Sequence, residues 1–141
     1  MMAAMQKITV FTDGGARGNP GPAAIGVQFL SSEGALLGEL SETIGEATNN
    51  AAEYAAVKRA LEHLPSLVTD SMGVQVVLNL DSQLVQRQLT GEYKIKDADL
   101  TIYAEAIKVL EREYASVVYT HIPRAENQEA DRLVNEALDA E

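Results

Sequence analysis

The 141-residue chain contains no cysteine and no tryptophan, and it has only two histidines. Without cysteine it can form neither a disulfide-stabilised scaffold nor a thiolate metal site, and thiol catalysis is excluded. No apolar run approaches the roughly 18 residues of a membrane span, and the opening MMAAMQKITVF lacks the basic start and apolar block of a signal peptide. We therefore expect one cytoplasmic domain over residues 1–141, without a membrane anchor, in which residues 1–5 form a flexible tail.

Basic residues are also scarce in this chain. Eleven Lys and Arg stand against 21 Asp and Glu, which gives a formal net charge of −10. Such an acidic excess repels phosphate backbones over long range, whereas most nucleic-acid-binding proteins carry a basic surface. Composition taken alone therefore argues against a nucleic-acid partner.

Hydrophobic periodicity predicts a run of strands followed by alternating helices and strands. Alternating or β-branched segments predict five strands, at residues 7–12, 24–30, 35–44, 74–80 and 116–121. Helical spacing predicts four helices, at residues 48–64, 82–89, 98–114 and 126–140. Short turns make the first three strands antiparallel, and helical connections make the last two parallel to the first. The expected fold class is α/β, with a mixed five-stranded sheet flanked by helices on both faces.

Two aspartates directly follow predicted strands that are expected to be parallel neighbours. Asp13 comes after the first strand and precedes Gly14, and Asp81 comes after the fourth strand and precedes Ser82. Taken singly, Asp13 is typical of a turn and Asp81 of a helix N-cap. The carboxyl ends of parallel strands meet at one edge, where open α/β sheets place their sites. We therefore expect the two carboxylates to lie close together.

Two further acids lie on predicted helices. Glu53 follows Asn50 at the spacing of a capping box, but if Thr48 caps this helix, Glu53 lies on the inward apolar stripe. A buried acid needs a partner, because burying an unpaired charge is costly. Asp131 borders the apolar face of the last helix, and an ordinary exposed helix charge is the alternative. Four converging acids without cysteine favour Mg²⁺ or Mn²⁺, and two such ions suit in-line attack at phosphorus.

Four blocks of the sequence resemble type 1 ribonuclease H, in that family's order and spacing. They are residues 13–22 (DGGARGNPGP), 48–53 (TNNAAE), 80–83 (LDSQ), and His121 followed by 126–131 (ENQEAD). The resemblance runs from about Lys7 to the end of the chain and implies a ribonuclease H-like fold. It also implies an endonuclease that cuts the RNA strand of an RNA/DNA hybrid, leaving 5′-phosphate and 3′-hydroxyl ends.

Carried over residue by residue, the resemblance implies four metal-binding catalytic carboxylates: Asp13, Glu53, Asp81 and Asp131. They would hold two Mg²⁺ ions in the substrate complex, with Mn²⁺ as a substitute. In the family's arrangement Asp13 is a ligand of both ions. Glu53 and Asp81 lie on the side of one ion, and Asp131 lies on the side of the other.

An auxiliary catalytic role is also implied. His121 matches a mobile histidine that is thought to shuttle protons or to assist product release, and a neutral-range pKa suits either task. Some family members carry an arginine instead, and Arg124 lies nearby, so either residue could hold this role. A histidine that ends a strand and bonds to a neighbour is the structural alternative.

The resemblance further implies substrate contacts, which must distinguish the strand that carries 2′-hydroxyls from the strand that lacks them. The matching positions are Gly14, Asn19, Asn49, Asn50 and Gln83. Asn19 could instead be a turn residue before proline, and Asn49 a helix cap. These roles can coexist with substrate contact, because a cap uses the side-chain oxygen and leaves the amide nitrogen free.

The chain departs from many family members by lacking a basic protruding helix. Residues 89–100 form a short stretch that keeps only Lys94 and Lys96, and Tyr93 stands where relatives often have tryptophan. We therefore expect weak, strongly salt-sensitive binding of hybrids, carried by six cations: Lys58, Arg59, Arg87, Lys94, Lys96 and Arg124.

Two other functions stay open at this point. Because the chain lacks the basic protrusion, one open alternative is a broader ribonuclease that also cuts double-stranded RNA. A catalytically silent nucleic-acid-binding module with the same fold is the alternative from a different class. The expected partner is an RNA/DNA hybrid, the expected state is a monomer, and no membrane partner is expected.

Overall fold

The computed structural model describes residues 5–141, so the predicted flexible tail lies outside this range except for Met5, whose side chain is exposed. A mixed sheet of five strands forms the centre. The strands are β1 (Gln6–Ala16), β2 (Gly21–Leu30), β3 (Leu36–Ala47), β4 (Val74–Leu80) and β5 (Ser116–His121). The helices are α1 (Asn49–His63), α2 (Gln83–Leu89), α3 (Ala98–Glu111) and α4 (Gln128–Asp139). Single 3₁₀ turns occupy Leu64–Leu67, Ser71–Gly73 and Arg124–Glu126.

The strands lie in the order β3-β2-β1-β4-β5. The pairs β1–β2 and β2–β3 are antiparallel, whereas β1–β4 and β4–β5 are parallel. The predicted topology is therefore confirmed. Because β1 and β4 are parallel neighbours, the chain leaves both strands at the same edge of the sheet.

Helices cover both faces of the sheet, as predicted. On β2, Ile25 belongs to the larger core that also contains Tyr54 and Leu61 of α1. Its neighbour Ala24 packs instead with Val134 of α4. Successive strand residues point to opposite faces, so α1 and α4 lie on opposite sides of the sheet. Within residues 5–141, no helix has the length and apolarity needed to cross a membrane.

Several element boundaries differ from the predicted ones. β1 and β2 keep pairing through Gly15–Ala24 and Ala16–Ala23, so the strands extend into the Gly/Pro-rich segment that was expected to be a turn. Glycine weakens strands and favours turns, but here the antiparallel pairing with β2 outweighs that preference. α3 ends at Glu111 rather than Tyr114, and α4 begins at Gln128, after a 3₁₀ turn, rather than at Glu126.

Two glycines allow helices to approach the sheet closely from opposite faces. A Cβ at Gly14 of β1 would lie 2.1 Å from the backbone oxygen of Ala52 in α1. A Cβ at Gly26 of β2 would lie 2.2 Å from the backbone oxygen of Ala130 in α4. Backbone atoms cannot move aside as a flexible side chain can, so these positions require glycine. The two helices carry Glu53 and Asp131, so these contacts set the distance of both acids from the sheet.

We predict that Gly26→Ala destabilises the fold, because the new methyl group must push α4 away from β2. The expected loss is about 1–3 kcal/mol, the usual range for overpacking, measured by urea or thermal unfolding. Gly15→Ala is the matched control, since a Cβ there meets only the Val134 side chain at 3.5 Å. Equal stability of the two variants would contradict the close-packing account.

Candidate active site

Three carboxylates meet at the sheet edge where β1 and β4 run in parallel. Asp13 lies within β1, opposite Gly26, rather than in a turn after the strand. Asp81 directly follows β4, and Glu53 projects from α1. One carboxylate oxygen from each of these three residues lies within 4.8 Å of the others. The parallel pairing and the close approach of α1 together produce this cluster.

Glu53 is held by the end of β1 and not by its own helix. Its side chain is buried, and its Oε1 accepts a hydrogen bond from the Gly14 backbone N–H at 2.5 Å. Thr48 is the N-cap of α1 and accepts from the Ala51 N–H, so the capping-box alternative for Glu53 is wrong. The second oxygen, Oε2, is buried and has no hydrogen-bond partner within the described range 5–141. A buried carboxylate oxygen of this kind suits a cation.

Asp81 is not the N-cap of the helix that follows it. Ser82 takes that position and accepts from the Val85 N–H at 3.2 Å. The Oδ2 of Asp81 instead accepts a hydrogen bond from the Asn127 side-chain amide at 3.0 Å. Asn127 was not among the predicted site residues, because an asparagine just before a helix is typical of an ordinary cap.

Asp131 approaches the cluster from the opposite face of the sheet. It lies exposed in the first turn of α4, and it lines a depression together with Asp13, Gly14 and Arg124. It does not belong to the group of oxygens within 4.8 Å, which among residues 5–141 comprises Asp13, Glu53 and Asp81. The four predicted carboxylates thus form a tight group of three with a fourth acid facing Asp13.

The cluster is electrostatically unfavourable when it carries only its own charges. Burial, together with repulsion from Asp81 and Asp131, raises the pKa of Asp13 from 3.8 to about 7. Burial and repulsion from Asp13 also raise the pKa of Glu53 well above its ordinary value. Both shifts arise because desolvation and like charges disfavour the ionised form. Hard oxygen donors with this charge excess fit divalent cations such as Mg²⁺ or Mn²⁺.

Arg124 and His121 lie differently with respect to the carboxylates. Arg124 lines both depressions that open at the cluster, one with Asp13 and Asp131 and the other with Glu53 and Asp81. His121 is the last residue of β5, paired in register with Leu80, and its side chain is exposed. It is not among the residues that line these two depressions.

The predicted contact asparagines form a hydrogen-bonded rim beside the carboxylates. Asn49 Oδ1 accepts from the Ala16 N–H at 2.9 Å, and the Asn49 backbone N–H donates to Asn19 Oδ1 at 2.9 Å. Asn49 therefore does not cap α1, and its Nδ2 is left to donate elsewhere. Asn50 lines the same depression as Glu53, and Gln83 is exposed at the start of α2.

Three of the six predicted phosphate-binding cations form ion pairs within the chain. Lys58 pairs with Glu62 at 3.1 Å and Arg59 with Glu42 at 3.0 Å. Arg87 lies 3.9 Å from Glu92 and also donates to the Tyr93 hydroxyl.

The other three predicted cations, Lys94, Lys96 and Arg124, form no ion pair with residues 5–141. Residues 90–97, which connect α2 to α3, contain no helix, as expected for a chain without the basic protrusion. The cations available to a phosphate backbone are thus fewer than composition suggests.

We predict that Asp13→Asn raises the stability of the metal-free protein near neutral pH. Because folding raises the Asp13 pKa from 3.8 to about 7, the folded chain binds more protons than the unfolded chain between these values. The stability contributed by this group is full below pH 3.8 and is lost as the pH rises toward 7. In EDTA, the variant should melt several degrees higher than the wild type at pH 7.5 and at a similar temperature at pH 4.

Glu105→Gln is the control for this prediction, because Glu105 is exposed and takes part in no ion pair with the described residues. Its melting temperature should follow that of the wild type at both pH values. If the melting temperature of Asp13→Asn also matched that of the wild type at both pH values, carboxylate repulsion in the cluster would be refuted.

The RNase H family model matches residues 5–139 of this chain. The chain is 43% identical over 133 residues to the ribonuclease HI of Halobacterium salinarum, covering 94% of this chain. It spans 65% of the length of that relative.

Solved structures give the same result. The LC11-RNase H1 isolated from compost by a metagenomic approach superposes with a TM-score of 0.91 at 47% identity, covering 96% of this chain and 98% of that one. LC11-RNase H1 in complex with an RNA/DNA hybrid superposes with a TM-score of 0.88 at 45% identity, covering 94% and 97%. Fold, sequence blocks and matched length agree, and the chain therefore belongs to the RNase H family as a type 1 member.

Proposed function

We propose that this protein is a metal-dependent endoribonuclease that cuts the RNA strand of RNA/DNA hybrids and leaves 5′-phosphate and 3′-hydroxyl ends. The observation that carries the proposal is the convergence of Asp13, Glu53 and Asp81, with oxygens within 4.8 Å, in a member of the RNase H family. The hybrid bound to the similar LC11-RNase H1 supports this choice of substrate.

The donor set fits divalent cations on three grounds. All its atoms are hard oxygens, the buried Glu53 Oε2 has no hydrogen-bond partner among residues 5–141, and burial with repulsion from neighbouring acids raises the pKa of Asp13. Asp13, Glu53 and Asp81 would hold one ion, and Asp13 and Asp131 a second. When bound, such ions supply Lewis-acid activation of water and neutralise the charge that develops on the leaving 3′-oxygen.

The protein's own residues hold the carboxylate ligands in fixed orientations. The Gly14 N–H fixes one oxygen of Glu53, and the Asn127 amide fixes one oxygen of Asp81. Arg124 lines both depressions at the cluster, and its guanidinium would contact a phosphate bound there. Catalysis of this kind depends chiefly on positioning and on charge that is in place before reaction.

Substrate contacts follow from the rim of amides. Asn49 uses its oxygen for the Ala16 N–H, so its Nδ2 would contact the substrate as a hydrogen-bond donor. Asn19, Asn50, Gln83 and the Gly14 backbone complete the proposed set, with Lys94, Lys96 and Arg124 contacting phosphates.

Binding should be weak, because part of the surface beside the site is acidic. Asn49 and Asn50 also border a depression of about 890 Å³ that is rimmed by Glu46, Asp97 and Asp99. These acids oppose a phosphate backbone, and the few free cations must overcome them.

The direct test gives the purified protein three labelled duplexes, RNA/DNA, RNA/RNA and DNA/DNA, each with Mg²⁺, with Mn²⁺ and with EDTA. We expect metal-dependent cutting of the RNA strand in the hybrid, with 5′-phosphate ends, and loss of most activity in Asp13→Asn. Cutting of RNA/RNA as well would support the broader specificity. Failure of the folded protein to cut any duplex with either metal would support a silent binding module and refute the proposal.

We predict that Arg124 and not His121 holds the auxiliary catalytic role, because Arg124 lines the depressions at the carboxylates. Arg124→Ala should lower kcat by about 10-fold or more, whereas His121→Ala should change it by less than about 3-fold. Single-turnover cleavage of the hybrid separates the chemical step from product release. A larger loss in His121→Ala would reverse this assignment.

A further inference from the structure

The Asn127 side chain touches two of the elements that carry the acidic cluster. It is 1% exposed, and its Nδ2 donates to the Thr12 carbonyl at 2.8 Å and to Asp81 Oδ2 at 3.0 Å. Both contacted atoms are oxygens, so the amide nitrogen must face them. Its own backbone carbonyl accepts from the Asp131 N–H at 3.1 Å. One residue thus contacts β1 at the position before Asp13, the carboxylate after β4 and the backbone of the acid on α4.

Asn127 makes these contacts instead of capping its own helix. It occupies the N-cap position of α4, yet its side chain makes no capping hydrogen bond. Its Oδ1 is buried and finds no partner in the part of the chain that the structure describes, although an N-cap asparagine normally accepts there from a helix N–H. An unpaired buried acceptor is unfavourable, so a purely structural cap would have turned this oxygen to the helix.

We propose that Asn127 is a positioning residue that holds the Asp81 carboxylate in its metal-binding orientation. The inference rests on the proposed function of the cluster as a divalent cation site. A carboxylate that follows a strand end can rotate about its side-chain bonds. A donor 3.0 Å from Oδ2 restrains that rotation, and so holds the carboxylate that shares the cluster with Asp13 and Glu53.

The amide is also an electrically neutral partner for the Asp81 carboxylate. It donates a hydrogen bond without adding a cation that would compete with a metal. Groups that orient metal ligands in this way typically change metal affinity by 10–100-fold when removed. A residue that only holds strands together would change stability and leave metal affinity unchanged.

Asn79 provides a matched control within the same fold. It too is a buried asparagine, 8% exposed, and its Nδ2 donates to a carbonyl of β1, that of Val10, at 3.2 Å. Among the hydrogen bonds of residues 5–141 it makes none with a carboxylate of the cluster. Asn79→Ala and Asn127→Ala therefore remove equivalent support of β1, and only the second removes the Asp81 contact.

The experiment measures Mn²⁺ binding to each purified protein by calorimetry, alongside its melting temperature. We expect Asn127→Ala to bind Mn²⁺ about 10-fold or more weakly, Asn79→Ala to bind within 2-fold of the wild type, and both to lose comparable stability. In an Asp81→Ala background, which has no side-chain acceptor at position 81, Asn127→Ala should cause no further loss. Equal Mn²⁺ affinity of Asn127→Ala and Asn79→Ala, or full additivity with Asp81→Ala, would overturn the proposal.

A measurement on the unsubstituted residue covers the case in which Asn127→Ala does not fold. The side-chain amide protons of Asn127 should exchange slowly by NMR, and their resonances should move in Asp81→Asn and on addition of Mg²⁺. Fast exchange, or resonances that ignore both changes, would refute the contact. Wild-type hybrid cleavage, measured separately, reports on the proposed function, so the two can fail independently.

Discussion

The close approach of α1 to β1 at Gly14 is the contact on which the site depends. Because Gly14 has no side chain, the backbone of α1 reaches the strand, and the Gly14 N–H bonds directly to Glu53. Any side chain there would separate the helix from the strand and move Glu53 away from Asp13. On the other face, Gly26 admits α4 in the same manner and brings Asp131 toward the cluster. The acids are thus held together by packing of backbone against backbone.

This packing brings together carboxylates whose negative charges repel one another. Three carboxylates share one small region, and burial with mutual repulsion raises the pKa of Asp13 and of Glu53. The rest of the fold supplies the stability that keeps them there, through a continuous apolar core between the sheet and α1. A divalent cation, if bound as proposed, would resolve the conflict, since it would convert repulsion among the acids into shared ligation. The same argument explains why a net charge of −10 does not exclude a nucleic-acid substrate.

The topology of the sheet and the meeting of Asp13 with Asp81 could be predicted from the sequence, because hydrophobic periodicity and connection lengths are local signals. Alternation and helical spacing locate the strands and helices, and short or helical connections determine which strands are parallel. The placement of Asp13 and Asp81 at one edge follows from that topology. Their nearest alternatives, a turn and an N-cap, were wrong because β1 pairs with β2 through Asp13 and because Ser82 caps α2.

The features that could not be predicted arise from contacts between distant segments. Asn127 has the position and chemistry of an ordinary cap, and its bond to Asp81 spans 46 residues. The pairing of Arg59 with Glu42 likewise depends on how α1 lies on β3, so counting cations overstates the basic surface. The choice between Arg124 and His121 depends on which side chain lies beside the carboxylates in the folded chain, and spacing along the sequence carries no information on that.

The central claim is that the cluster of Asp13, Glu53 and Asp81 is a divalent cation site. Calorimetric titration with Mn²⁺ near pH 6.5 tests it most directly, and two buffers of different ionisation enthalpy reveal any protons released on binding. Because the pKa of Asp13 is about 7, part of the cluster is protonated at that pH. The account predicts binding accompanied by net proton release, with both greatly weakened in Asp13→Asn. Absence of binding, or binding without proton release that Asp13→Asn leaves unchanged, would contradict it.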